Sequence, residues 1–149
     1  MPTSLRITVF VSALLATAFG PFETIPGPTP RVIELTADHD SRYRQGHKAS
    51  PTIEVLAGEP LILRVTAVRA KDVARDGSVH GLALLDHDSN PVAGWKFFLR
   101  PGVQELTVRA PLEPGRYTAV CTVICSDAHE GMQFTLVVID PKSSAKEQR

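Results

Sequence analysis

Residues 121–132 read CTVICSDAHEGM and place Cys121, Cys125, His129 and Met132 within twelve positions. The two cysteines are the only ones in the chain. Two thiolates, an imidazole and a thioether this close must converge if the segment is a looped connection. Such a donor set selects copper: thiolate and thioether favour Cu(I), imidazole suits both copper oxidation states, and Met is a poor ligand for zinc or a hard cation. A small Cys121–Cys125 disulfide is the plain alternative, but it would close a loop of few residues and stabilise little, and it gives no reason for His129 and Met132 at that spacing. A Cys2His2 zinc site is a further alternative. The chain has no C-x-x-C-H run, which excludes covalent c-type haem attachment.

The elements that must hold these donors read as strands. Alternating or β-branched stretches cover 31–37, 52–56, 60–68, 79–85, 103–110, 116–121 and 133–139, with a shorter apolar segment at 95–99. Gly and Pro punctuate them, and no amphipathic helix is evident. Segment 38–51 is polar and irregular, 69–78 is a charged loop, and 86–91 is turn-like. Seven or eight short strands predict a β-sandwich or barrel. Residues 122–131 then form the loop between the last two strands, at one end of the scaffold, where a rigid β-framework commonly carries function. His80 is the best candidate for a fifth ligand: it opens a strand after the charged loop, and Gly81 beside it permits close backbone approach. His39, His47 and His87 lie in polar, turn-rich stretches and read as solvated. Asp76, Asp127 and Glu130 either hydrogen-bond the ligands or stand as solvated loop charges.

The chain has 149 residues, 43% hydrophobic, with a formal net charge of zero. That suits one small domain with an ordinary core and offers no basic field for nucleic acid. Residues 7–19 form an apolar run that ends in a small-x-small pattern at Ala16-Thr17-Ala18, with Gly20-Pro21 just beyond. This predicts a signal peptide over 1–18, with an uncleaved N-terminal anchor as the alternative. A membrane span needs about 20 apolar residues, more than this run supplies. A Pro-rich linker is expected over 19–30, the domain over 31–140 and a polar tail over 141–149. The expected location is outside the cytoplasm, periplasmic or on the outer face of the cytoplasmic membrane.

The pattern Cys-x3-Cys-x3-His-x2-Met, preceded by Pro-Gly-x-Tyr and, further upstream, by Val-His-Gly, resembles the dinuclear copper (CuA) domain of heme–copper oxidase (cytochrome c oxidase) subunit II. A similar domain occurs in nitrous oxide reductase. The likeness spans residues 31–140. It implies a cupredoxin-like Greek-key β-sandwich. It further implies that Cys121 and Cys125 bridge two copper ions as thiolates, that His80 and His129 each bind one ion, and that Met132 and the main-chain carbonyl of Val123 are weak ligands. The chain departs from the family where Ser126 follows the second Cys, where the loop before His80 is long, and where subunit II has membrane helices and an aromatic-rich segment. Here Trp95 is the lone Trp.

The implied function is relay of single electrons through a dinuclear copper centre. The donor would be a redox protein such as a c-type cytochrome or a small copper protein, and an oxidase complex the wider assembly, with this chain as its electron-entry subunit. Two thiolates against Cu(I) and Cu(II) leave one net positive charge, and sharing an electron over two bridged ions keeps reorganisation small. No nucleophile–base pairing stands out, so no activity is expected of the chain alone. A mononuclear copper-binding protein that delivers metal for oxidase assembly, and a metal-free domain with a disulfide, remain as alternatives.

Overall fold

In a computed structural model, residues 27–142 are described. The segments expected as signal peptide or anchor (1–18), most of the linker (19–30) and most of the tail (141–149) lie outside the described residues. Ten strands follow in order: β1 (Arg31–Ala37), β2 (Tyr43–Gln45), β3 (Lys48–Ala49), β4 (Thr52–Leu56), β5 (Pro60–Ala67), β6 (His80–Leu85), β7 (Pro91–Leu99), β8 (Gly102–Arg109), β9 (Gly115–Val120) and β10 (Gln133–Ile139). A 3-10 turn, His129–Gly131, precedes β10.

The strands form two five-stranded sheets, ordered β3-β2-β1-β5-β8 and β4-β10-β9-β6-β7. The β1–β5 and β4–β10 pairs are parallel; the other paired neighbours are antiparallel. The chain passes repeatedly from one sheet to the other, so each sheet is stitched from distant segments. Successive side chains on a strand point to opposite faces, and the sequence obeys this period closely. Leu61, Leu63, Val65 and Ala67 of β5 are buried, as are Ile33, Leu35 and Ala37 of β1 and Phe134, Leu136 and Val138 of β10. The two inner faces meet in one core, where the rings of Tyr43 and Phe134 pack edge-on with centroids 5.3 Å apart.

Two stretches differ from the sequence expectation. The polar segment 38–51 contains the β2 and β3 strands, because Tyr43 is a fully buried anchor and the turns around it use left-handed backbone at Ser41, Gly46 and Ser50. The turn-like 86–91 and the short apolar 95–99 are joined by the nine-residue β7. The Asp86 carboxylate accepts the Asp88 and Asn90 amides and tightens the turn. Pro91 then opens an edge strand, where a missing N–H is tolerated. No helix among the described residues is long and apolar enough to cross a membrane.

Candidate metal centre

Strand parity brings the donors together. His80 opens β6 on the same face as Leu82 and Leu84, and all three are fully buried. Cys121 continues the inward line of Tyr117 and Ala119 one step past β9. Met132 sits one step before β10, in line with Phe134, and is fully buried. Strand β9 lies between β6 and β10 and runs antiparallel to both, so the three positions fall at one end of the sandwich. The Cys121 N–H donates to the Met132 carbonyl at 3.0 Å and closes the neck of the loop.

A ring nitrogen of His80 and the Sγ atoms of Cys121 and Cys125 lie within 4.8 Å of one another, and all three residues are buried. The two sulfurs are 3.9 Å apart and both thiols are free, whereas a disulfide bond is about 2.05 Å long. His80 Nε2 is 2.7 Å from the Val68 carbonyl. A carbonyl only accepts, so Nε2 carries the proton and the lone pair falls on Nδ1. That Nδ1 is buried and has no hydrogen-bond partner, the one such side-chain nitrogen or oxygen among the described residues. Leaving a buried polar atom unsatisfied costs about 1–3 kcal/mol, a cost that a ligated ion would remove. Burial holds the imidazole below its ordinary pKa, opposed by the Val68 carbonyl and by Asp38. The neutral, ligating form is therefore favoured.

Each sulfur has its own surroundings. The Gly81 N–H donates to Cys121 Sγ at 3.3 Å, and the Cys121 thiol donates to the Val123 carbonyl at 3.3 Å. Burial pushes the Cys121 thiol up to about 11; the Gly81 and Val123 backbone groups hold it down, and Cys125 adds to the rise. The Cys125 thiol is 3.4 Å from the Ser41 hydroxyl, which is 2.6 Å from the Ser126 hydroxyl. Gly81 is required for this approach: a Cβ there would lie 2.2 Å from Thr122 Oγ1 and 3.0 Å from the Thr122 amide nitrogen.

Of the six residues expected at the site, His80, Cys121 and Cys125 converge. The Val123 carbonyl is at the Cys121 sulfur, and Met132 lines the same end from the core. His129 lies outside the converging group. It is half-buried in the 3-10 turn, with Nδ1 3.0 Å from the Ser126 carbonyl, which leaves the lone pair on Nε2. Asp127 is drawn away to Lys71 at 3.0 Å, and Asp76 accepts from the amide and hydroxyl of Ser78.

Sequence reasoning missed the loop that covers the site. Asp38 accepts the amides of Asp40 and Arg42 and pairs with Arg44. This turn carries Ser41, only 2% exposed and at φ +57°, to Cys125. The buried Tyr43 hydroxyl donates to the Gly81 carbonyl. Its pKa is raised well above the usual value, first by burial and then by the neighbouring Cys121 and Cys125. An Asp followed three residues later by Ser is a turn signal, but nothing in its spacing pointed to a sulfur.

No family model matches the chain, and no curated protein matches it. Solved structures do. The copper protein rusticyanin is 16% identical, with 74% of this chain and 80% of that chain covered and a TM-score of 0.52. Auracyanin B is 20% identical, with 78% and 95% covered and a TM-score of 0.52. The periplasmic domain of cytochrome oxidase subunit II (CoxB) of Bradyrhizobium japonicum is 16% identical, with 80% and 92% covered and a TM-score of 0.46. The fold is a cupredoxin-like β-sandwich, as the sequence implied.

Proposed function

We propose that this chain is a copper-binding electron-transfer protein whose centre is the dinuclear type of oxidase subunit II. The carrying observation is the buried His80, its Nδ1 unpartnered, beside two free thiols. Two thiols, an imidazole and the Met132 thioether fit soft copper, and a thioether gives zinc little. Cys121 and Cys125 would bridge two ions as thiolates. His80 and His129 would each complete one, with Met132 and the Val123 carbonyl as weak ligands. Loss of the Cys121 thiol proton would release the Val123 carbonyl from its present hydrogen bond, which supports its place in the set. When bound, the pair of ions supplies a one-electron couple of low reorganisation. The chain's own residues hold the donors, exclude water and fix the ring of His80 through Val68.

The wider reading follows from this centre. The domain over residues 31–140 works after export, in the periplasm or on the outer face of the cytoplasmic membrane. The segment over 1–18 acts as a signal peptide or anchor and 19–30 as a linker. A c-type cytochrome or small copper protein is the donor, and an oxidase complex the acceptor.

The placement of His129 favours a second reading. Among the histidine, cysteine and carboxylate side chains of the described residues, only His80, Cys121 and Cys125 converge, and three such donors suffice for one Cu(I), as a protein delivering copper for oxidase assembly would need. Metal analysis with EPR on the purified full chain separates the two. Two coppers per chain with a delocalised mixed-valence signal support the electron carrier. One copper, lost readily to a chelator, supports delivery. A metal-free protein whose sulfurs resist alkylation until reduced overturns both.

A further inference from the structure

The loop that holds the sulfurs also presents a surface. Between the two cysteines the side chains alternate: Val123 is buried and Ile124 is 71% exposed. Burying an isoleucine side chain is worth about 1.5–3 kcal/mol, and Ile124 forgoes it within one residue of Cys125. Phe98, 53% exposed, lies across a hollow of about 480 Å³ whose walls include Ile124, Thr122, Arg75 and Asp76. Gly81 pairs with Phe98 in the sheet and donates to Cys121 Sγ on its other side. The apolar floor is therefore separated from the sulfur by one strand.

The rim of this hollow is cationic. Arg75 lines it, Lys96 Nζ stands 5.8 Å from the centre of the Phe98 ring, and Arg100 is near enough to Asp76 to lower its carboxyl. The one rim carboxylate, Asp76, is engaged by the Ser78 amide and hydroxyl. The whole chain sums to zero, so the excess of cations at this rim is offset by acidic residues elsewhere. The bias is local, and it flanks the strand whose Gly81 N–H reaches Cys121 Sγ.

We infer that the Phe98–Ile124 hollow, ringed by Arg75, Lys96 and Arg100, is the docking surface for an acidic redox protein whose redox group presents an apolar edge within a ring of carboxylates. The inference rests on the electron-transfer reading and adds the sign of the partner. Complementary charge steers encounter and fixes orientation. The apolar floor excludes water where the two redox groups face each other.

The test uses the copper-loaded full chain and two reduced c-type cytochromes, one of strongly acidic and one of strongly basic net charge, in stopped flow. The acidic cytochrome is expected to react faster at low salt, with its rate falling on the order of tenfold between about 10 mM and 0.3 M salt. The basic one is expected to speed up over the same range. Arg75→Glu with Lys96→Glu should reverse the salt dependence for the acidic cytochrome. Ile124→Ser should slow it about fivefold at every salt concentration, as loss of a central apolar contact does. The copper EPR signal of each variant should match that of the parent chain. A faster basic cytochrome at low salt, or charge-reversed variants with unchanged rates, overturns the proposal. A second arm needs no copper. Anionic hexacyanochromate(III) should broaden the amide resonances of Phe98 and Ile124 in the metal-free chain, and cationic hexaamminechromium(III) should not. Broadening centred elsewhere also overturns the surface. If copper fails to load while the anionic probe still gathers at the hollow, the redox reading falls and the anion-attracting surface stands.

Discussion

His80 and Val68 are joined by a 2.7 Å contact from the ring Nε2 to the main-chain carbonyl. This bond decides which ring nitrogen keeps its lone pair. Because the acceptor is backbone at the end of β5, the tautomer is set by the sheet and survives any side-chain substitution at position 68. Histidine ligands generally depend on such a partner for orientation and basicity.

The metal-free protein should have a stability optimum bounded by two buried groups of the site. The His80 pKa is lowered from 6.5 by burial, so the unfolded chain takes up its proton first. Stability is then full above 6.5 and is lost as pH falls below it. Cys121 is raised from 9.0 to about 11, so its contribution is full below 9.0 and is lost as pH rises toward 11. Urea unfolding across pH should show both limbs, and His80→Ala should flatten the acid one.

Copper uptake should release protons. If two protons are displaced on binding, apparent affinity falls about a hundredfold per pH unit lost, following ordinary proton linkage. Competition titration against a copper chelator between pH 6 and 8, as rough working limits, measures the slope. A slope near zero would mean that the sulfurs are not the ligands.

Cys125→Ser should abolish any two-copper core and leave at most one ion, read by metal analysis and EPR. Met132→Leu should keep the metal and shift its potential. Met132 is fully buried, but Leu nearly conserves its volume, so the stability cost should stay below about 1.5 kcal/mol.

Gly81→Ala should destabilise the chain by about 1–3 kcal/mol, the usual cost of overpacking, because the new methyl meets Thr122 at 2.2 Å. It should also weaken the amide bond to Cys121. Thr122→Ala in the same chain should restore part of the stability but not all of it, since the Thr122 amide still lies at 3.0 Å. Thermal melts of the two variants beside the parent chain check this.

Ser41→Ala should leave copper bound and lower its potential on the order of tens of millivolts, because a hydroxyl that can donate to the Cys125 sulfur is lost and one-electron shifts of 59 mV correspond to tenfold in equilibrium. Protein-film voltammetry gives the value. An unchanged potential would assign Ser41 to the Ser126 contact alone.

The strand period was plain in residues such as Leu61, Leu63 and Val65, and so was the end of the sandwich at which Cys121 and Met132 fall. His80 was legible for the same reason: an inward position at a strand start, followed by a glycine. What stayed hidden depended on main-chain groups and on turns. The Val68 carbonyl and Gly81 amide have no side-chain signature. The Asp38 turn that brings Ser41 to Cys125 joins residues more than 80 positions apart, a distance no local pattern records. The polar composition of 38–51 also masked two strands, because the one buried ring of Tyr43 anchors a segment that otherwise faces solvent.

Three backbone hydrogen bonds clasp the loop that carries the sulfurs. Cys121 holds Met132, Asp72 holds the Cys125 carbonyl, and the Ser126 carbonyl receives the His129 amide. None of these clasps requires an ion. A cradle shaped before its cargo arrives can be filled after the polypeptide has already folded, and emptied without unravelling.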